Sequence, residues 1–151
     1  MKKLVSFLTA ITMSLLLSGC GAAAKEADVK ALAEQLSREV VFEADLRELS
    51  AEKLGNYLDL PEGAEAYAYM SNGNTAEEII TAKCASESDA QTLKASIEAL
   101  LADQRQEMQR YLPEEVARLE HAVLAQRGVY VALCVSADQT AAEQIIKENL
   151  G

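Results

Sequence analysis

Residues 66–85 read AYAYMSNGNTAEEIITAKCA. The first five positions alternate, with Tyr67 and Tyr69 pointing one way and Ala66, Ala68 and Met70 the other. A period of two is that of a strand. Ser71, Asn72, Gly73 and Asn74 then supply turn chemistry, and the apolar run returns from Glu77 to Ala85. The stretch therefore predicts a β-hairpin, although Thr75, Ala76, Glu77 and Glu78 would also suit a helix start.

A second hairpin is expected near the C-terminus, from His121 to Gln126 and Val129 to Ser136, with Gly128 in its turn. In its last arm Val129, Val131, Leu133 and Val135 form one face, which places Cys134 on the other. An extracytoplasmic pair of cysteines can form a disulfide, but that alternation argues against pairing Cys134 with Cys84, and two cysteines make no disulfide scaffold.

Helical spacing fills the rest. Asp28 can cap a helix that buries Val29, Leu32, Ala33, Leu36 and Val40. Ser50 caps a second, with Leu49 and Leu54 as a hydrophobic staple and Leu54, Tyr57 and Leu58 as its buried side. Ser88 followed by Gln91 has a capping-box spacing, opening the longest helix with the stripe Leu93, Ile97, Leu100, Leu101, Met108 and Tyr111. Gln104 interrupts that stripe and reads as a hydrogen-bonded glutamine at the core or its rim. Pro113 restarts the chain in a short turn with Glu114 and Glu115. A last helix, capped by Asp138 or Ser136, would bury Ala142, Ile145, Ile146 and Leu150. The order α, α, β, β, α, β, β, α predicts an α+β fold, an antiparallel sheet of two hairpins with helices packed on one side.

The N-terminus carries a different signal. Met1, Lys2 and Lys3 precede a mostly apolar segment, Leu4 to Leu17, too short for a bilayer span of roughly 20 residues and ending at Leu17, Ser18, Gly19, Cys20. That ending resembles the lipobox of bacterial lipoproteins. The resemblance implies a diacylglyceryl group on the Cys20 thiol and cleavage before it, since two lipid chains hold where one is marginal. An ordinary secretory signal cleaved after another small residue, such as Ala24, is the alternative, and only the lipobox separates the two. The expected organisation is a signal peptide over residues 1–19, a tether over 20–27 and one small domain over 28–151. The chain would then sit on the extracytoplasmic face of the cell membrane, held through lipid on Cys20.

Composition narrows the partners. With 24 acidic against 14 basic residues and a net charge of −10, the chain lacks the basic clusters that bind phosphate backbones, so nucleic acid is not expected. Cleavage would remove Lys2 and Lys3 and leave the remainder more acidic still. Such a domain stands off an anionic membrane rather than lying on it.

Tyr69 to Ile79, Gln104, Tyr111 to Glu115, Leu119 to Val123 and Gly128 to Val135 together resemble the family called domain of unknown function 4358, small bacterial lipoproteins. In that family a glycine-containing turn precedes a Thr-Ala-Glu-Glu-Ile run, matched by Asn72 to Asn74 and Thr75 to Ile79. A Tyr-x-Pro-Glu-Glu segment is matched by Tyr111 to Glu115, with Leu112 where a polar residue is expected. The resemblance implies fold and location and carries no activity.

No catalytic constellation stands out. His121 is the single histidine, and no nucleophile elbow accompanies it. Cys84, Cys134 and His121 lack zinc-ligand spacing, and no glycine-rich phosphate loop occurs, so neither metal nor cofactor is expected. Glu77, Glu78, Glu114 and Glu115 are the carboxylates a glycosidase-type pair would draw on. Tyr67, Tyr69, Asn72, Asn74 and Tyr130 form a candidate ligand-binding set, since tyrosine rings give area and amides give direction, although tyrosine is also simply a good strand residue. The expectation is a non-enzymatic binding or accessory module contacting an envelope protein, peptide or wall component. The alternative is an envelope hydrolase using a carboxylate pair.

Overall fold

The computed structural model describes residues 26–151; the expected signal peptide, Cys20 and most of the expected tether lie outside the described residues. In chain order the elements are α1 (Val29–Glu39), β1 (Arg47–Leu49), α2 (Ala51–Leu54), β2 (Glu65–Met70), β3 (Glu78–Lys83) and α3 (Glu87–Tyr111). A 3-10 turn (Pro113–Glu115), α4 (Val116–Glu120), β4 (Val123–Arg127), β5 (Tyr130–Val135) and α5 (Gln139–Leu150) follow. The class is α+β, built on one antiparallel sheet in the order β1-β2-β3-β5-β4.

Both hairpins form at the expected places. β2 and β3 pair from Glu65 with Lys83 to Met70 with Glu78, and Gly73 takes φ of 92° in their turn, a conformation open to glycine. β4 and β5 turn at Gly128, whose φ is 53°. The sheet has one strand more than two hairpins supply: β1 pairs with β2, Arg47 opposite Met70.

Helices cover both faces of this sheet, not one as the element order suggested. The cause is in the central strands, which are apolar on both sides. Ile80, Ala82, Val131, Leu133 and Val135 pack beneath α3 with Leu93, Ile97 and Leu101. Ile79, Ala132 and Cys134 pack on the opposite face with Leu32 and Leu36 of α1 and Ile145 and Ile146 of α5. Strands buried on both faces read as continuous apolar runs and need two covering layers. Each fully buried leucine contributes about 1.5–3 kcal/mol. A hydrogen bond from Thr81 Oγ1 to Val29 O, 2.7 Å, seats the start of α1 on β3.

Caps follow side-chain chemistry. Asp28, Ser50 and Asp138 accept from the third amide beyond them, as expected for α1, α2 and α5. α3 starts earlier than its Ser88 reading: Ser86 accepts from Asp89 N and also donates to Asp89 Oδ2 at 2.7 Å, so the acidic residue, not Gln91, completes the box. Two tyrosines expected in the core are outside it. Tyr57 is 57% exposed because α2 ends at Leu54, and Tyr111 is 74% exposed at the last residue of α3. His121 closes α4 instead of opening a strand, its Nδ1 2.7 Å from Ala117 O.

Candidate functional site

The Thr75–Ile79 run and the Pro113–Glu115 turn meet at one end of the sheet. Glu77, only 1% exposed, accepts from the backbone N–H groups of Glu43 and Ala44 at 2.8–3.0 Å and from Thr75 Oγ1 at 3.2 Å. Glu115 accepts from Ala76 N at 2.8 Å. Between them lies Arg118, whose Nη1 is 2.8 Å from Glu115 and 3.6 Å from Glu77, and whose Nη2 is 2.8 Å from Glu43. Burial works against the Arg118 charge, but the hydrogen bond to Glu43 and the carboxylates of Glu115 and Glu77 more than offset it, and its pKa rises. This cluster clamps three segments that are distant in the chain. Its carboxylates are engaged by backbone amides and a guanidinium, which is a structural arrangement.

Glu78 differs. It opens β3 on the face beneath α3 and is 1% exposed, yet among the described residues no cation pairs with it. Gln104 Nε2 donates to its Oε2 at 3.3 Å, while Glu78 Oε1 and Gln104 Oε1 are buried with no hydrogen-bond partner among the described residues. Burial pushes the Glu78 carboxyl up to about 7, against a smaller lowering by the Gln104 hydrogen bond. Both side chains line a cavity of ≈ 490 Å³ between α3 and the β2–β3 turn. Leu49, Tyr57, Met70, Leu100 and Met108 supply apolar walls.

The aromatic and amide set read from the sequence is not gathered in one place. Asn72 lines this cavity, and Asn74 is exposed in the adjacent turn. Tyr67 and Tyr69 pack on the α1 and α5 face, the Tyr67 hydroxyl donating to Glu65 at 3.0 Å. Tyr130 lies at the far end of β5 opposite Lys83, whose Nζ is 6.0 Å from the ring centroid. Of the four glutamates, Glu77 and Glu115 join the clamp, Glu114 is exposed, and Glu78 faces the cavity. Cys84 and Cys134 are free thiols buried on opposite faces of the sheet. Arg118 and Glu43 carried no sequence signal beyond the i, i+3 spacing of Glu115 and Arg118. Among the described residues no three His, Cys, Asp or Glu side chains are placed to hold a metal ion, and no helix is long and apolar enough to cross a membrane.

The family model described as Domain of unknown function (DUF4358) matches residues 39–136. The chain belongs to that family. The matched span of this DUF4358 member holds all five strands, α3, the Arg118 clamp and the Glu78 cavity, while α5 and nearly all of α1 lie outside it. No curated protein and no solved structure matches the chain.

Proposed function

We propose that this DUF4358 member is a lipid-anchored module on the extracytoplasmic face of a bacterial membrane that binds a ligand or partner segment in the cavity beneath α3. The anchor rests on the lipobox-like Leu17 to Cys20 and the short apolar segment before it. The binding role rests on one observation: Glu78 is a fully buried carboxyl that faces a cavity with one oxygen unpartnered. Buried polar groups in folded proteins are nearly all hydrogen-bonded, so an exception that lines a cavity calls for a partner there, and pockets that hold ligands carry a few such polar groups among apolar walls. Glu77 and Glu115 are held by Arg118 and amides, and Glu114 is exposed, so these glutamates offer Glu78 no free partner for a hydrolytic pair.

The two parts are tested separately. Intact mass and membrane fractionation of the wild type beside Cys20→Ala should show a lipid-sized increment and membrane retention that vanish in the variant. Soluble, unlipidated wild type would end the anchoring half. For the binding half, a mixed fragment screen followed by amide NMR should perturb residues 71–78 and 100–108 together. Fragments that perturb no residue of that region would end it.

A further inference from the structure

Within the binding role proposed above, on which this inference rests, the cavity also specifies the chemistry of its occupant. Its charged lining is acidic throughout, with Glu78 from the start of β3, Asp103 and Glu107 from α3, and beside them Glu77, which Arg118 already holds. Among the described residues no lysine, arginine or histidine lines it. The two unpartnered atoms, Glu78 Oε1 and Gln104 Oε1, are both acceptors short of a donor. Acceptors in an acidic surround ask for a ligand that donates hydrogen bonds and carries positive charge.

The walls decide between kinds of cation. Met70, Leu100 and Met108 offer the ligand apolar surface, and Tyr57 presents a half-exposed ring at the same cavity. A hard metal ion wants roughly six to eight oxygens and gains nothing from such walls. An ammonium on a methylene stem uses both parts, with its head on the oxygens or over the ring and its stem along the apolar side chains.

We infer that the cavity takes the side chain of a lysine carried on a peptide or protein ligand, its ammonium donating to Glu78 and Gln104 and its methylenes lying along Met70, Leu100 and Met108. The state of Glu78 agrees with this. Burial without a cation keeps its carboxyl up near 7, and an arriving ammonium supplies what is missing and lets it ionise.

The test is an NMR titration of the isotope-labelled protein at pH 8 with three probes: Nα-acetyl-lysine N-methylamide, its uncharged norleucine counterpart, and n-butylammonium. The lysine probe should shift the Gln104 side-chain amide and bind about tenfold or more tightly than norleucine, the difference a charged hydrogen bond makes. In Glu78→Gln, a neutral isostere, most of that preference should be lost while the spectrum stays folded. Equal binding of lysine and norleucine, or an undiminished preference in Glu78→Gln, overturns the inference and leaves the binding role standing. Binding of n-butylammonium without the lysine probe overturns the assignment to a peptide side chain. Failure of these probes and of the fragment screen alike would remove the binding role itself.

Discussion

Glu78→Gln should stabilise the protein at pH 8 and change it little at pH 4.5. In the unfolded chain the Glu78 carboxyl titrates at the ordinary glutamate value of 4.5, whereas burial in the folded chain pushes it up to about 7. Between those values the folded state holds a proton that the unfolded state has released, so stability falls as pH rises through the interval. The cost is absent below the lower value and complete above the upper one. At 1.36 kcal/mol for each unit, the difference of the two values amounts to about 3 kcal/mol. Glutamine keeps the shape and a hydrogen bond to Gln104 without the charge, and so removes that cost. For a domain of this size, about 3 kcal/mol corresponds to a rise in Tm of roughly 10 °C at pH 8. Thermal unfolding of both proteins followed by circular dichroism at several pH values between 4.5 and 8 reads the effect directly. A Tm difference that does not change with pH, or a variant less stable than wild type at pH 8, would refute the reasoning.

The clamp and the thiols give further expectations. Arg118→Met leaves Glu77 and Glu115 buried without their cation and should cost about 3–5 kcal/mol in urea unfolding, and a loss under about 1 kcal/mol would show the clamp to be dispensable. Glu43→Gln touches a carboxylate that is 63% exposed and should cost under about 1 kcal/mol by the same measurement. Burial raises the pKa of Cys84 and pushes Cys134 up to about 12, so neither should react with a thiol reagent in the native protein at pH 8, and both should react in denaturant; rapid native labelling or a disulfide-sized mass would contradict the structure.

Local chemistry made much of the fold readable. Asp28, Ser50 and Asp138 cap where their side chains can reach an orphan amide, and the stripe of α1 is buried at each of its expected positions. The two-layer covering of the sheet was also present in the sequence, because Ile79 to Ala82 and Val131 to Val135 carry apolar or small side chains on both faces. Reading one face of the last strand hid the second. Tyr57 and Tyr111 fit helical periodicity but lie where the helices end or outrun the sheet, and periodicity alone does not say where a packed neighbour stops.

The site was legible only in part. Gln104 stood out as a polar break in an apolar stripe, but its partner could be named only once α3 was laid over β3. Arg118 was illegible for the same reason, since Glu43 and Glu77 approach it across long stretches of chain. Four acidic residues that look alike in sequence thus divide into a clamp, an exposed residue and a buried acid. Tertiary placement makes the distinction, not residue type.

The most direct test of Glu78 as a buried acid awaiting a cation is its own titration, followed by carbon NMR of the side-chain carboxyl with and without the lysine probe. The account predicts a midpoint near 7 in the free protein and a lower one with the probe bound. A midpoint near 4.5 in the free protein, or one the probe leaves unmoved, would contradict it.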